Sequence, residues 1–320
     1  MFLSLTPNPC LEKTFRVPAF AALGSFRVAP EHGRENIGGK GINAARVAAR
    51  FGVSSIALAP IGPNLRELLQ RLAALEPFEL RPIPVDAPTR TCHNIVSSGG
   101  STELLEAGYA LDVGDGTRLF RAWQELLPMC EVALLGGSYP PNDDAAWLGH
   151  ASVLCSLARA ANKKLIYDGK GEAFRRAVFG KTPPWAIKPN LDEARELLRL
   201  PLETQSQERG AVRELRRRGV ELVLLSCGAR GCWVGFQNEI EWLAAPRVET
   251  VSSVGSGDSL SGAFAAKYIE TGDVWESARW GVAAGSANAA HLEAANVGPE
   301  EVAPLVSQVR RELGEIRLMG

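Results

Sequence analysis

The sequence predicts an α/β fold: a mostly parallel central sheet with helices layered on both faces. Three observations predict it. Short, almost continuously apolar runs recur along the 320 residues, as strands buried on both faces require. Helix-period patterns fill most of the gaps between them, which implies right-handed crossovers. At 46% hydrophobic and 22% charged, with no repeat and no low-complexity linker, the chain is long and apolar enough to bury one large core.

Taken in order, the first strand is expected at 2–5 (FLSL). Residues 12–36 mix polar and β-prone positions (EKTFRV, SFRVAPEHGREN) and break the alternation. A helix follows at 42–52, a strand at 54–61 (SSIALAPI) and a helix at 64–76, each with the period of its class. Residues 89–107 read as two short strands around Ser-Gly-Gly, a hairpin signal. Neither 12–36 nor 89–107 has the apolar content of a core, so both are expected in a small sheet projecting from the main body. Strands are then expected at 131–136, 164–168, 185–188 and 221–227. Helices are expected at 144–162, 190–200, and roughly 205–218 and 258–271. The tail from 273 to 315 reads as helical throughout. All 320 residues are expected to form a single domain carrying the small sheet.

Lysine and arginine number 35 against 36 acidic residues, a net charge of −1. That balance sets up no general field for nucleic acid or an anionic membrane, and neither is expected as a partner. Six cysteines are scattered without a CxxC pair, and four histidines complete no zinc spacing with them. Buried, reduced thiols in a cytoplasmic protein are expected. The start, MFLSLTPNP, has no basic region and no long apolar stretch, so it does not read as a signal peptide. No apolar run approaches the roughly 20 residues that span a bilayer.

Four glycine-rich loops stand out. Gly38-Gly39-Lys40-Gly41-Ile42-Asn43 opens a helix, where backbone N–H groups bind anions and Lys40 adds positive charge. It is not a GxxxxGK[ST] loop. Gly136-Gly137-Ser138-Tyr139 and Ser226-Cys227-Gly228-Ala229-Arg230-Gly231 leave strand ends, where ligands of open α/β sheets bind. Val254-Gly255-Ser256-Gly257-Asp258 feeds another helix. Asp258 has two readings there: an N-cap, or a base that takes a hydroxyl proton while nearby N–H groups hold a phosphoryl group. Asn190 and Glu193 likewise read either as a capping box or as organisers of Mg²⁺ and its waters.

Together and in this order, the loops resemble those of the ribokinase-like carbohydrate kinases, the PfkB family. GGKGINAA, KPNLDE, SCGARG and SVGSGDS each resemble one of its segments, and the likeness runs from about residue 3 to 303. TPNPCLEKT, TRTCHNI, GGSYPPN, YDGKGEAF and WGVAAGSANAA resemble the branch that phosphorylates sugar phosphates. The resemblance implies a three-layer α/β/α fold with a β-sheet lid, dimerisation through that lid, and Mg²⁺-dependent transfer of the ATP γ-phosphoryl group to a sugar hydroxyl. Position by position it implies Asp258 as base and Gly255, Ser256 and Gly257 as the anion hole. Asn190 and Glu193 match the metal-associated motif. Ser226, Gly228, Gly231 and Asn288 fall on the ATP side. Glu12, Gly38, Gly39, Lys40, Asn43, Arg90 and Ser138 fall on the sugar side, with Arg27 as a second phosphate contact. A ketohexose phosphate is expected, fructose 1-phosphate ahead of tagatose 6-phosphate and fructose 6-phosphate.

Some positions depart from the family pattern. Glu12 stands where aspartate is usual, Cys92 where TRxN has asparagine, and Lys170 where a small hydroxyl residue follows Asp168. Ser252 and Ser256 replace asparagine and alanine. These changes keep open a kinase for a free sugar or nucleoside, and a sensor that binds without turnover. Residues 257–260 also spell Gly-Asp-Ser-Leu, a hydrolase motif, but no D-x-x-H follows it.

Overall fold

The computed structural model describes residues 1–20, 25–141 and 145–313; the parts of the expected elements at 21–24, 144 and 314–315 lie outside them. Fourteen strands and ten α-helices follow in chain order among these residues: β1 Phe2–Leu5, β2 Cys10–Arg16, β3 Gly33–Gly38, α1 Lys40–Arg50, β4 Ser55–Ile61, α2 Arg66–Ala73, β5 Glu79–Pro84, β6 Arg90–Ser97, β7 Gly100–Leu105 and α3 Val113–Leu126. Next come β8 Val132–Gly136, α4 Ala145–Ala160, β9 Lys164–Asp168, α5 Gly171–Val178, β10 Ala186–Ile187, α6 Leu191–Leu198, α7 Gln205–Arg217 and β11 Leu222–Ser226. The chain continues through β12 Gly231–Phe236, β13 Glu239–Ala244, α8 Ser256–Thr271, α9 Val274–Ala289, α10 Pro299–Val306 and β14 Arg310–Leu313.

Ten strands form the central sheet in the order β14-β13-β12-β11-β10-β9-β8-β1-β4-β5. Pairing is parallel from β11 to β5 and antiparallel from β11 to β14. Alternation along each strand sends side chains into two separate cores. Phe2, Val132, Leu134 and Ile166 pack beneath α1, α8 and α9, whereas Leu3, Ala133, Leu135 and Tyr167 face the side of α3 to α7. This is the three-layer arrangement. Each fully buried Leu or Phe contributes roughly 1.5–3 kcal/mol.

Several elements depart from the expectation. β5 carries Pro82 and Pro84, which argue against a strand, yet it lies at the sheet edge, where a missing N–H is tolerated. In α3, Gly114 and Gly116 hide a helix that the Asp112/Asp115 capping box begins. α5 and β13 were also not expected. The tail is not helical throughout: 310–313 is a strand, because it meets the free edge of β13, where Arg311 pairs with Glu241 and lies over Trp275.

The second sheet has the order β3-β2-β6-β7. It is built from the two stretches that broke the alternation, each strand pair reaching slightly beyond or within the expected limits. β2 pairs antiparallel with β3 and parallel with β6, and β6 forms the expected hairpin with β7.

One close approach positions the site. A Cβ on Gly262 would come within 2.4 Å of the Ala44 carbonyl oxygen, so only glycine lets α8 lie this close to α1. None of the described helices is long and apolar enough to cross a membrane.

Candidate active site

The adjacent parallel strands β11, β10, β9, β8 and β1 end together, and the loops leaving them converge, as ligand sites of open sheets do. Each supplies a polar group: Ser226 from β11, Lys188 after β10, Asp168 ending β9, Gly137-Ser138 after β8 and Thr6 after β1. Gly137 N–H donates to the Asp168 carbonyl at 2.8 Å, tying two of these ends together.

Helix α8 starts at this edge. Its N-cap, Gly255, has φ +79°, and a Cβ there would lie 2.7 Å from that of Ala294, so the turn demands glycine on both counts. Ser256, Gly257 and Asp258 make the first turn. Among the described residues no acceptor takes the Gly257 or Asp258 backbone N–H, leaving two donors open at the positive end of the helix. Asn288 is fully buried and braces this turn. It donates to Val254 O at 2.8 Å and Ser256 Oγ at 3.1 Å and accepts from Ala295 N at 2.6 Å. Its amide is thus committed to the protein. Ser252 Oγ accepts from Val254 N, so this departure also serves the turn.

Asp258 is 8% exposed, and its Oδ2 accepts from Asn43 Nδ2 at 2.8 Å. Asn43 is oriented in turn by Arg46, which donates to Asn43 Oδ1 at 2.7 Å and is itself held by both oxygens of Glu76. Burial, then the nearby Asp168 carboxylate, push the Asp258 pKa up to about 6 against the pull of Lys40, Asn43 and Lys188.

Lys40 joins three segments. Its Nζ lies 2.8 Å from Asp168 Oδ1 and 2.8 Å from Glu193 Oε1. Burial works against its charge, but Asp168, Glu193 and Asp258 outweigh that and raise its pKa. Lys188 Nζ is 3.0 Å from Asp168 Oδ2, and Ser261 Oγ donates to the same oxygen. Two ammonium groups therefore face three carboxylates. Read from sequence as a charge for a substrate phosphate, Lys40 is found here shared between Asp168 and Glu193. Asp168, Lys188, Ser261 and Arg46 were not singled out as site residues. A charged residue ending an apolar strand, as in KLIYD and WAIK, was the available signal.

Asn190 and Glu193 form the reciprocal capping box of α6: Asn190 N–H donates to Glu193 Oε2 and Glu193 N–H to Asn190 Oδ1, both at 2.9 Å. With Oε1 on Lys40, both carboxylate oxygens are engaged. No group of three or more His, Cys, Asp or Glu side chains among the described residues is placed to hold a metal ion. Each of the Glu193 and Asn190 oxygens keeps a second lone pair, so these two residues would hold a Mg²⁺ through its waters rather than directly.

The second sheet supplies the rest. Arg90 donates to the Asn8 carbonyl at 3.2 and 2.9 Å and to the Glu106 carbonyl at 2.7 Å, and it borders a small open cleft with Asn8, Thr89, Tyr109 and Leu111. Cys92 is buried, as is Cys10 on the adjoining strand. Arg27 is exposed, as is Lys170, which pairs with neither Asp168 nor Glu172. Gly38 lies against Glu12, where a Cβ would meet Oε2 at 2.7 Å. Burial above all, with Asp258 and Glu103 adding and Arg46 opposing, pushes the Glu12 pKa up to about 7. Because this folded-state value lies above the unfolded one of 4.5, the stability it confers is complete below pH 4.5 and lost as pH rises through 7. Glu12→Gln is therefore expected to raise Tm over the parent at pH 8, with the gap closing towards pH 4.5. A Tm difference independent of pH would contradict it.

The residues expected on the ATP side, Ser226, Gly228 and Gly231, sit at the far end of this edge. Ser226 ends β11 and its N–H donates to Pro189 O at 3.0 Å. Gly228 opens an exposed 3₁₀ turn with φ +60°, and Gly231 starts β12.

An open N–H turn with a raised, buried carboxylate inside it, at the carboxyl edge of a parallel sheet, is built to move an anionic group onto a hydroxyl; the class is that of a phosphotransferase. The profile of the pfkB family carbohydrate kinases matches residues 20–301, and the chain belongs to that family: it is an ATP-dependent carbohydrate kinase. A tagatose-6-phosphate kinase of Staphylococcus epidermidis is 24% identical over 310 residues, 97% of this chain and 98% of the relative. The structure of phosphofructokinase-2 from Escherichia coli in complex with fructose-6-phosphate superposes with a TM-score of 0.83 at 27% identity, covering 96% of this chain and 98% of that one. A possible 1-phosphofructokinase from Thermotoga maritima shares the fold at a TM-score of 0.89 and 20% identity, covering 98% and 99%.

Proposed function

We propose that the enzyme phosphorylates a ketohexose phosphate, with Asp258 as the catalytic base. The observation that carries this is the Asp258 carboxylate, raised to about 6, bound by Asn43 and set beside two open N–H donors. At neutral pH it is ionised yet still basic enough to accept the acceptor hydroxyl proton as attack proceeds. The turn at Gly255, Ser256 and Gly257 takes the charge developing on the γ-phosphoryl oxygens, and each fixed donor of this kind is worth about 10²–10³ in rate. Glu12, Gly38, Gly39, Asn43 and Ser138 line the acceptor side. Ser226, Gly228 and Gly231 offer backbone to the nucleotide, and Asn288 serves it by bracing the turn. Bound with ATP, Mg²⁺ neutralises the phosphates. Glu193 and Asn190 would hold it through water.

Arg90 supports a phosphorylated acceptor. Three of its five N–H donors are taken by backbone carbonyls, which fixes the guanidinium and leaves two for a phosphate. Arg90→Ala is expected to raise the KM for a phosphosugar about tenfold or more with kcat little changed; an unchanged KM would place Arg90 outside the site. The relatives named for tagatose 6-phosphate and fructose-6-phosphate set both beside fructose 1-phosphate as first candidates.

The β3-β2-β6-β7 sheet acts as the lid that excludes water, with the rest of the chain as one kinase domain. Exposed Phe26, Leu104 and Leu105 on and beside it support a homodimer formed through the lid.

The test is ADP release with Mg·ATP against fructose 1-phosphate, fructose 6-phosphate, tagatose 6-phosphate, free fructose, ribose and adenosine. Turnover confined to a phosphosugar is expected. Turnover on a free sugar or on adenosine would overturn the substrate class, and tight binding of a phosphosugar without turnover would overturn the reaction.

A further inference from the structure

We propose that Glu208 is a positioning residue for the nucleotide, acting through the loop at 227–231; this rests on that loop being the nucleotide side of the site. Glu208 lies in the first turns of α7, its side chain only 3% exposed. Its carboxylate accepts from Arg230 Nη2 at 2.5 Å and Nη1 at 3.4 Å, from Trp233 Nε1 at 3.0 Å, and more weakly from the Cys227 thiol at 3.9 Å. These three partners bracket the loop: its entry, its 3₁₀ turn and the strand that follows.

Backbone bonds hold the turn itself: Gly231 N–H donates to the Gly228 carbonyl, Arg230 N–H to the Cys227 carbonyl at 3.4 Å, and Ala245 N–H to the Arg230 carbonyl at 3.2 Å. None of Gly228, Ala229 and Arg230 is buried, and a Cβ on Gly228 would meet nothing within 4 Å. The neck is closed by Cys227 N–H on the Gly231 carbonyl at 2.8 Å. Beyond these backbone bonds, the side-chain restraint is the charged pair and the indole bond, and hydrogen bonds to ionised groups are about twice as strong as neutral ones. Arg230, the loop's one cation, is turned inward onto Glu208, with its guanidinium 5.8 Å from the Trp242 ring. The loop therefore offers backbone rather than charge to its ligand, and backbone recognition works only while the backbone is held.

Cutting the clamp lowers the fraction of molecules with a competent loop, which weakens apparent nucleotide affinity by that fraction and leaves the chemical step alone. Glu208→Ala is expected to raise the KM for Mg·ATP by about tenfold or more, with kcat and the KM for the acceptor sugar within about threefold of the parent. Glu208→Gln still accepts from Trp233 and is expected to fall between the two. Gly228→Ala, strained at φ +60°, is the independent probe of the loop and is expected to raise the KM for Mg·ATP as well. If Gly228→Ala raises it while Glu208→Ala lowers only Tm, the loop serves the nucleotide and the clamp does not, which overturns the proposal. If neither variant changes it, the nucleotide-side reading falls and takes the proposal with it. Should Glu208→Ala not fold, Glu208→Gln decides: a raised KM for Mg·ATP at unchanged kcat supports the clamp, and the parent's value overturns it.

Discussion

Asp258→Asn is expected to lower kcat by at least about 10³-fold while leaving the circular dichroism and ATP binding of the parent intact. The carboxamide has the same shape, and its oxygen can still accept from Asn43. What is lost is the basic oxygen that removes the hydroxyl proton. In the parent, kcat should fall as pH drops through about 6, where Asp258 takes up a proton; the residual rate of the variant should be flat there. Stability should move the other way. The folded pKa lies above the unfolded value of 3.8, so the carboxylate's stabilising contribution is present below pH 3.8 and lost as pH rises through 6. The asparagine variant should therefore melt higher than the parent at pH 8. Activity within tenfold of the parent would remove Asp258 from the role of base.

Lys40→Met carries the second-largest expected effect. It removes the cation between Asp168, 1% exposed, and Glu193, 8% exposed, and leaves Lys188 as the remaining ammonium among three carboxylates. Removing one partner of a buried pair costs about 3–5 kcal/mol, and the lower end applies because Lys40 is 29% exposed. Lys40 also holds the Asp258 pKa down, so its loss should move the acid limb of the kcat profile to higher pH. At pH 7 kcat should drop by about 10² or more, with part of the loss recovered at pH 9. A purely structural role would lower Tm and leave the midpoint of the profile where it was. Lys40→Arg keeps the charge and should hold the midpoint near that of the parent.

Much of the fold is legible in the amino acids alone. FLSL, SIALAPI, VALLG and LVLLS are apolar almost throughout, and only a strand covered on both faces tolerates that. The glycine turns are legible too, because their backbone angles exclude other residues. Elements whose stability comes from elsewhere were not. β5 survives its prolines by lying at an edge, and β14 exists because β13 offers it an open edge. A four-residue strand has too little local preference to announce itself.

The same division runs through the site. By itself the sequence determined the class of layers, the order of the loops and the residue types gathered at the sheet edge, since these depend on local pattern. Tertiary structure decided who pairs with whom. Lys40 meets Asp168 and Glu193 across 128 and 153 residues, and Asn43 meets Asp258 across 215. Lys40 turned out to neutralise carboxylates, Asn288 to brace a turn and Arg230 to bind beneath its own loop. The reason is physical: a charge or an amide entering a low-dielectric interior must be matched by whatever partner the fold brings within about 3 Å. That partner is set by how α1, β9, α6 and α8 converge, which no local stretch of sequence encodes.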